Sequence, residues 1–186
     1  EAGQTVNPSA GASTTSCTLF PGDYDAVLFD LDGVLTRTAS VHAAAWKRLF
    51  DEFLKKRSGD LGEPFVPFDI DTDYRRHVDG KPRYDGVSTF LKARGIELPQ
   101  GVQEDGPDVQ SVRALGNLKD KYFLEHLEQR GVEPYEAAIA LVRALRAQQV
   151  KTAVVSSSNN CAKVLEVTGI AHLFDARVDG KDITRL

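Results

Sequence analysis

Apolar residues along this chain form two patterns, and each pattern predicts a different kind of element. Two short continuous apolar runs, Ala26–Phe29 and Ala153–Val155, lie within the segments 24–29 and 151–156, and each is followed by polar residues. Continuous hydrophobicity is typical of strands buried on both faces of a parallel sheet. Elsewhere apolar residues recur every four positions, as at Val41, Ala45 and Leu49, which predicts amphipathic helices. The chain therefore has two strand-to-helix units with a long helical stretch between them.

This order predicts an α/β fold with a Rossmann-like parallel sheet and a helical cap inserted after the first strand. Three parts are expected: a flexible leader over 1–22, an incomplete α/β core over 23–37 and 135–186, and a helical cap over 38–134. The remaining predicted elements are helices over 38–58, 84–94, 108–130, 134–148 and 161–168, irregular segments over 59–82 and 96–107, and a third strand over 176–178.

Composition narrows the possible partners. Of the 186 residues, 41% are hydrophobic and 27% are charged, as in average globular proteins. The net charge of −4 gives no electrostatic footprint for nucleic acid or an anionic membrane, so neither is expected as a partner. Cys17 and Cys161 lie far apart without His or Cys neighbours at ligand spacing, which indicates neither a disulfide framework nor a zinc site. A reducing, cytoplasmic setting is therefore expected.

Two aspartates end the first apolar run. Asp30 is the first polar residue after the run and Asp32 follows two positions later, with Gly33 permitting a tight turn. The carboxyl ends of parallel strands form the edge at which open α/β sheets bind ligands. Two carboxylates this close repel each other, so the pair suits a hard cation such as Mg²⁺, or a nucleophile beside a general acid. A bare Asp-x-Asp also occurs in surface turns and in sugar-nucleotide transferases.

The second apolar run ends in hydroxyl and amide side chains. Residues 154–160 read VVSSSNN and lead into a helix. Helix N-termini present unpaired N–H groups to anions, so this segment suits a phosphate. Serine and asparagine are also favoured helix-capping residues, which is the purely structural interpretation. The acidic motif on another strand favours the phosphate site, and one residue can serve both purposes.

The complete string FDLDGVLT over 29–36 resembles the first motif of the haloacid dehalogenase superfamily of phosphohydrolases and phosphomutases. The resemblance implies that Asp30 is a nucleophile that forms an aspartyl-phosphate and that Asp32 is the general acid/base. It implies a Mg²⁺ ion held at Asp30 and Asp32. It also implies that Ser156 contacts the transferred phosphoryl group. The implied phosphate-binding segment comprises Ser156, Ser157, Ser158, Asn159 and Asn160.

A narrower resemblance covers the start of the helical stretch. Thr38, His42 and Trp46 are spaced by four and form one slanted stripe on a helix, and the segment TASVHAAAW over 38–46 is similar to β-phosphoglucomutases. In that family these positions lie at the junction of cap and core. There the His and Trp face the sugar when the cap closes.

Two further segments carry the same resemblance. VDGKPRYDG over 78–86 is similar to the mutase specificity loop, which implies that Gly80 and Arg83 belong to the substrate site and that Arg83 holds the non-reacting phosphate. Lys119 corresponds to a Lys that contacts the sugar or its phosphate, although the adjacent Lys121 leaves the register open. A surface position is the alternative for either cation.

The resemblance implies a phosphosugar mutase that interconverts β-glucose 1-phosphate and β-glucose 6-phosphate, with a small phosphorylated sugar as partner. A sugar-phosphate phosphatase with the same core is one alternative, and an inactive fragment is another. Arg37 stands where the family commonly has Asp. Lys181 is followed by Asp182, so the family's Gly-Lys-Pro-x-Pro-Asp string is not found, and neither is its later acidic pair. A C-terminal segment that supplies these groups is therefore an expected partner.

Overall fold

The structure is a computed structural model that describes residues 24–183. The predicted leader over 1–22 and Cys17 lie outside the described residues. Cys161 is a free, buried cysteine.

The core is a three-stranded parallel sheet with the strand order β1-β2-β3. Its strands are β1 (Ala26–Asp30), β2 (Lys151–Val155) and β3 (Ala176–Val178). Asp30 lies opposite Val155, which in turn lies opposite Val178, so all three strands end at one edge. The two predicted strand-to-helix units and the third strand are confirmed, and Asp30 is the last residue of β1 rather than the first residue after it.

One face of the sheet is covered by helices. Phe29 and Val154 point to this face and are buried, and the Phe29 ring meets Phe174 edge to face at 6.3 Å. The helix that packs on β2 buries Ile139, Val142 and Leu145. The core helices are α4 (Glu136–Ala147), α5 (Cys161–Val167) and the short α6 (Gly180–Ile183), with a 3₁₀ turn at Ala171–Leu173.

The opposite face of the sheet is open in the described part of the chain. The strand register places Leu28, Asp30, Val155 and Val178 on this face, because side chains alternate along a strand. Leu28 is 67% exposed, Val155 is 43% exposed and Val178 is 48% exposed. The apolar runs predicted burial on both faces, and among residues 24–183 that prediction holds for one face. We call the apolar surface of Leu28, Val155 and Val178 the open face.

The long segment between β1 and α4 is helical. It contains α1 (Thr38–Leu61), a π-helical segment (Ile70–Val78), α2 (Arg83–Ala93) and α3 (Val112–Arg130). Antiparallel packing of α1 against α3 and a stack of aromatic rings hold these elements together, with Phe50 centred 4.0 Å from Phe90 and 5.2 Å from Phe68. We call this segment the helical insertion.

Three boundaries of the helical insertion differ from the sequence-based prediction. Helix α1 continues through Gly59 to Leu61 and ends where Gly62 adopts a left-handed φ of 67°. The segment 59–82, predicted to be irregular, includes the π-helical segment, which Asp69 caps by accepting a 2.7 Å hydrogen bond from the Thr72 N–H. Helix α3 begins at Val112 rather than 108, because Ser111 caps it by accepting from the Ala114 N–H at 3.0 Å.

The chain enters and leaves the helical insertion at adjacent points. The Arg37 N–H donates to the Glu133 carbonyl at 3.0 Å, and the Tyr135 N–H donates to the Leu35 carbonyl at 2.9 Å. The Arg37 guanidinium also lies over the Tyr135 ring, 4.5 Å from its centre. This double connection joins the insertion to the core at one place.

None of the helices described over 24–183 has both the length and the apolar character that crossing a bilayer requires.

Candidate active site

A cavity of about 180 Å³ lies where the carboxyl ends of the strands face the helical insertion. Most of the predicted site residues line it. Those from the core are Asp30, Asp32, Ser157, Ser158, Asn159 and Asn160, and those from the insertion are His42, Trp46, Gly80, Arg83 and Lys119. Thr38 and Ser156 do not line the cavity. Both are buried, and both contact the Asp32 carboxylate from behind it.

Asp30 ends β1 and turns its carboxylate toward the cavity. Its Oδ1 atom accepts a hydrogen bond from the Leu31 N–H at 2.7 Å, which fixes the side-chain rotamer. Partial burial raises the pKa of Asp30 above the usual value, and the nearby Asp32 charge adds to the increase. A cation at this carboxylate would reverse that effect.

Asp32 is surrounded by donors. The Thr38 hydroxyl donates to Oδ1, the Ser156 hydroxyl donates to Oδ2 at 3.4 Å, and His42 Nε2 lies 3.4 Å from Oδ1. Burial on its own would raise the pKa of Asp32, but the His42 ring and the Thr38 hydroxyl outweigh it and hold the pKa below the usual value. The two aspartates are thus driven in opposite directions, and Asp32 ionises first.

His42 and Lys119 form a buried pair beside Asp32. Lys119 is 4% exposed, and its Nζ atom lies 2.6 Å from His42 Nδ1. Burial lowers the pKa of Lys119 to about 7, and burial together with the Lys119 charge lowers the pKa of His42. A protonated Lys119 can only donate to Nδ1, and a neutral His42 ring then carries its hydrogen on Nε2, which lies 3.4 Å from Asp32 Oδ1. The Lys121 side chain is 67% exposed, so of the two lysines Lys119 is the one that lines the cavity.

Arg83 enters the cavity from the first turn of α2. Gly80 precedes it in a left-handed conformation with φ of 68°, which turns the chain toward the cavity. Arg83 Nη1 lies 2.6 Å from Asp120 Oδ1, and Nη2 donates to the Tyr84 hydroxyl at 3.2 Å. The same oxygen of Asp120 accepts from Asn160 Nδ2 at 2.7 Å.

The serine and asparagine segment forms the loop between β2 and α5. The Ser158 N–H donates to the Ser156 hydroxyl at 3.1 Å, and the Asn160 N–H donates to the Ser158 hydroxyl at 3.2 Å. These side chains therefore shape the turn, as the capping interpretation expects, while residues 157–160 also line the cavity. The phosphate-binding role of Ser156 through Asn160 stays a prediction.

Several cavity residues were not singled out from the sequence, among them Tyr74, Asp79 and Asp120. Asp79 and Asp120 each adjoin a residue that was singled out, Gly80 and Lys119, so sequence proximity was a usable signal. Tyr74 belongs to the π-helical segment, which was predicted to be irregular, and no periodicity marked it. Burial raises the pKa of Tyr74, and the charge of Asp79 raises it further.

The described residues supply some of the ligands that a Mg²⁺ site would need. Asp30 offers an accessible carboxylate of the kind Mg²⁺ prefers, whereas the carboxylate of Asp32 already accepts from Thr38 and Ser156, which leaves its backbone carbonyl. Over residues 24–183, no group of three or more His, Cys, Asp or Glu side chains is placed to hold a metal ion. The residues present thus fit Mg²⁺ but do not complete its shell.

A parallel sheet, a carboxylate pair at its carboxyl edge and a helical insertion facing that edge define a class of capped Rossmann-like α/β proteins. The chain belongs to the haloacid dehalogenase-like hydrolase family, whose sequence profile matches residues 24–185. This confirms the family resemblance and the fold class.

Individual relatives agree with that membership. The chain is 44% identical over 160 residues to a β-phosphoglucomutase of Mycobacterium bovis, an alignment that covers 86% of this chain and 61% of the relative. It is 28% identical over 154 residues to a β-phosphoglucomutase of Bacillus subtilis, covering 83% of this chain and 60% of that one. The solved structure of a β-phosphoglucomutase from Clostridium difficile shares the fold, with a TM-score of 0.64, 22% identity and coverage of 85% of this chain and 62% of that one. The chain thus spans about three fifths of the length of these relatives.

Proposed function

We propose that this chain carries the catalytic nucleophile and the cap of a phosphosugar mutase that interconverts β-glucose 1-phosphate and β-glucose 6-phosphate. The observation that carries the proposal is the arrangement of charges across one cavity. Asp30 and Asp32 lie on the core side, and the cations Arg83 and Lys119 face them from the helical insertion. This arrangement suits a small sugar with phosphates at both ends. The relatives named β-phosphoglucomutase support the choice of a glucose phosphate as the substrate.

The proposed chemistry divides between the two aspartates. An oxygen of Asp30 attacks one phosphorus atom of the doubly phosphorylated sugar, and the bond from that phosphorus to the sugar oxygen breaks as the aspartyl-phosphate forms, which leaves a sugar monophosphate with its other phosphate in place. Asp32 gives a proton to the departing sugar oxygen, and in the return step it takes a proton from the hydroxyl that attacks the aspartyl-phosphate. The lowered pKa of Asp32 suits the second of these tasks.

The remaining cavity residues bind and orient. Arg83 has a planar guanidinium suited to bidentate contact with the non-reacting phosphate, and residues 156–160 would hold the transferring group. Trp46 and His42 would face the sugar ring. Lys119 fixes the His42 ring and thereby the donor that faces Asp32.

Asp30 and the Asp32 carbonyl would hold Mg²⁺, which neutralises charge on the phosphoryl oxygens when it is bound. We propose that the further Lys and acidic ligands come from a C-terminal segment that acts with this chain. The proposed setting is the cytoplasm, where cysteines stay reduced.

The test is phosphoryl transfer from β-glucose 1-phosphate in the presence of Mg²⁺, with and without the C-terminal segment. We expect mutase turnover with the segment and loss of at least about 100-fold without it, because removal of a charge-stabilising donor costs about 10²–10³ in rate. Asp30→Asn should abolish turnover and any phosphorylated intermediate seen by intact mass. The matched control is Asp25→Asn, at the residue that directly precedes β1, which should keep both.

The products of the same assay separate the two candidate reactions. A mutase releases glucose 6-phosphate, whereas the alternative phosphatase releases glucose and inorganic phosphate. Turnover of Asp30→Asn within tenfold of the parent would overturn the assignment of the nucleophile.

A further inference from the structure

One carboxylate joins the helical insertion to the core inside the cavity. Asp120 lies on α3, and a single oxygen of its side chain receives Arg83 Nη1 from α2 at 2.6 Å and Asn160 Nδ2 from the core loop at 2.7 Å. Its side chain is only 26% exposed and Arg83 only 17%, so solvent screens this contact weakly. Asp120 thus holds two elements of the insertion and one of the core at a common point.

The two partners of Asp120 are the residues to which a substrate phosphate is assigned above. Arg83 is the proposed ligand of the non-reacting phosphate, and Asn160 belongs to the proposed phosphate loop. Both donate to the Asp120 oxygen at distances typical of charge-assisted hydrogen bonds. An anion that binds Arg83 Nη1 and Asn160 Nδ2 must therefore displace this carboxylate from the same two donors.

The rest of the Arg83 side chain is already positioned for such an exchange. Arg83 Nη2 donates to the Tyr84 hydroxyl at 3.2 Å, and that hydroxyl donates to Asn117 Oδ1 at 2.8 Å. Asn117 is in turn fixed by donating to the Gln103 carbonyl at 2.9 Å. These contacts do not involve Asp120, so the guanidinium keeps its orientation when Asp120 leaves. Arg83 Nε is buried without a hydrogen-bond partner, so the group has donor capacity to spare.

We propose that Asp120 is a positioning residue that competes with the substrate phosphate: its carboxylate holds Arg83 and Asn160 together, and a bound phosphate takes its place on both. This inference rests on the proposed phosphate-binding role of Arg83. Asp120 would then make the cavity selective for doubly charged anions. Binding of a singly charged anion does not offset the free energy lost with the Arg83–Asp120 pair, whereas binding of a dianion does.

The experiment measures the dissociation constant of sulfate by calorimetry at pH 6 on the 186-residue chain and its variants. Sulfate is a tetrahedral dianion at this pH, and Lys119 is protonated because its pKa is about 7. Asp120→Asn keeps the size of the side chain and removes its charge, so we expect sulfate to bind about tenfold more tightly. Asp120→Glu restores a carboxylate and should restore the affinity of the parent. A residue with a merely structural role would give the opposite sign, since its loss would loosen Arg83 and weaken binding.

The matched control is Glu128→Gln, an identical change of charge at an exposed position of the same helix, which should leave the dissociation constant within twofold. Arg83→Ala should weaken sulfate binding. Unchanged or weaker binding by Asp120→Asn, with Arg83→Ala weakened as expected, overturns the competition and leaves the proposed function intact. Sulfate binding that does not depend on Arg83, or is absent from every variant, contradicts the phosphate role of Arg83 and with it both proposals.

Discussion

At the residue scale, burial and neighbouring charges give side chains of the same type different properties in this cavity. Asp30 and Asp32 are two positions apart, yet the pKa of one is raised and that of the other is lowered. Lys119 and Lys121 are equally close in sequence, yet one is buried against His42 and the other is on the surface. The pKa and the burial of each group are set by the side chains that contact it, such as the Thr38 hydroxyl that donates to Asp32.

Burial of Lys119 predicts a pH dependence of stability. Its pKa is about 7 in the folded chain and about 10.4 in an unfolded one, so between these values the unfolded state binds more protons. The free energy of unfolding should therefore rise with pH from 7 to 10, by roughly 2–4 kcal/mol from this residue. Urea unfolding of the parent and of Lys119→Met measures the effect. Lys119→Met should lack this rise, and the control Lys121→Met should keep it. If the free energy of unfolding of the parent and of Lys119→Met changed with pH in the same way, the pKa of Lys119 would not be lowered by burial.

At the element scale, the termini of helices are set by individual side chains. Ser111 is buried at the start of α3, where its hydroxyl accepts from the Ala114 N–H at 3.0 Å and donates to Asp105 Oδ2 at 2.6 Å. Asp105 also accepts from the Val102 N–H at 3.0 Å, so one cap organises the preceding loop as well. Helix α3 carries Lys119 and Asp120, and its start therefore fixes where these side chains meet the cavity.

We expect Ser111→Ala to lower the free energy of unfolding by about 1–2 kcal/mol, because the first turn of α3 loses its cap and Asp105 loses a buried donor. Chemical denaturation measures the change. Asp108→Ala provides the comparison, since Asp108 is exposed and lies at the helix start that the sequence predicted. A larger loss for Asp108→Ala than for Ser111→Ala would mean that α3 begins earlier than Val112.

The elements that could be predicted from sequence are those with a strong apolar pattern. The runs at β1 and β2 predicted both strands, and the motifs at their ends predicted Asp30 and the loop over 157–160 as neighbours. The π-helical segment could not be predicted from the sequence. The glycine and proline residues around it are typical of loops, and the residues that follow its cap, Asp69, show no helical periodicity of apolar positions. Tyr74, which belongs to this segment, was therefore not predicted as a cavity residue. Asp120 adjoins Lys119 in the sequence, but its contacts with Arg83 and Asn160 could not be predicted, because these partners are distant in sequence and only the packing of α2 and α3 over the core brings them together.

At the scale of the whole molecule, the open face is the most exposed apolar surface of the sheet. Leu28, Val155 and Val178 share it, and β2 is the only strand paired with β1 within residues 24–183. An unpaired strand edge beside an apolar face favours association with another chain.

We expect the 186-residue chain to self-associate through this face. Leu28→Lys should weaken the association about tenfold, since burying a leucine contributes about 1.5–3 kcal/mol. Sedimentation velocity over a concentration series gives the dissociation constant. Val167→Lys makes the same kind of change at an exposed valine of α5 and should have no effect. Equal weakening by both variants would place the contact elsewhere.

The double connection between insertion and core has a mechanical consequence. Because both crossings lie together at residues 35–37 and 133–135, a rotation of the insertion against the core would turn about one axis through them, and each side chain would move on an arc set by its distance from that axis. His42 is four residues into α1, or about 6 Å along the helix, whereas Lys119 and Asp120 are some ten or eleven residues up α3 from its end, or about 16 Å. A rotation of about 10° thus carries His42 through ~1 Å and Asp120 through ~3 Å. A small rotation would therefore change the Asp120–Asn160 distance more than the distance from His42 to Asp32.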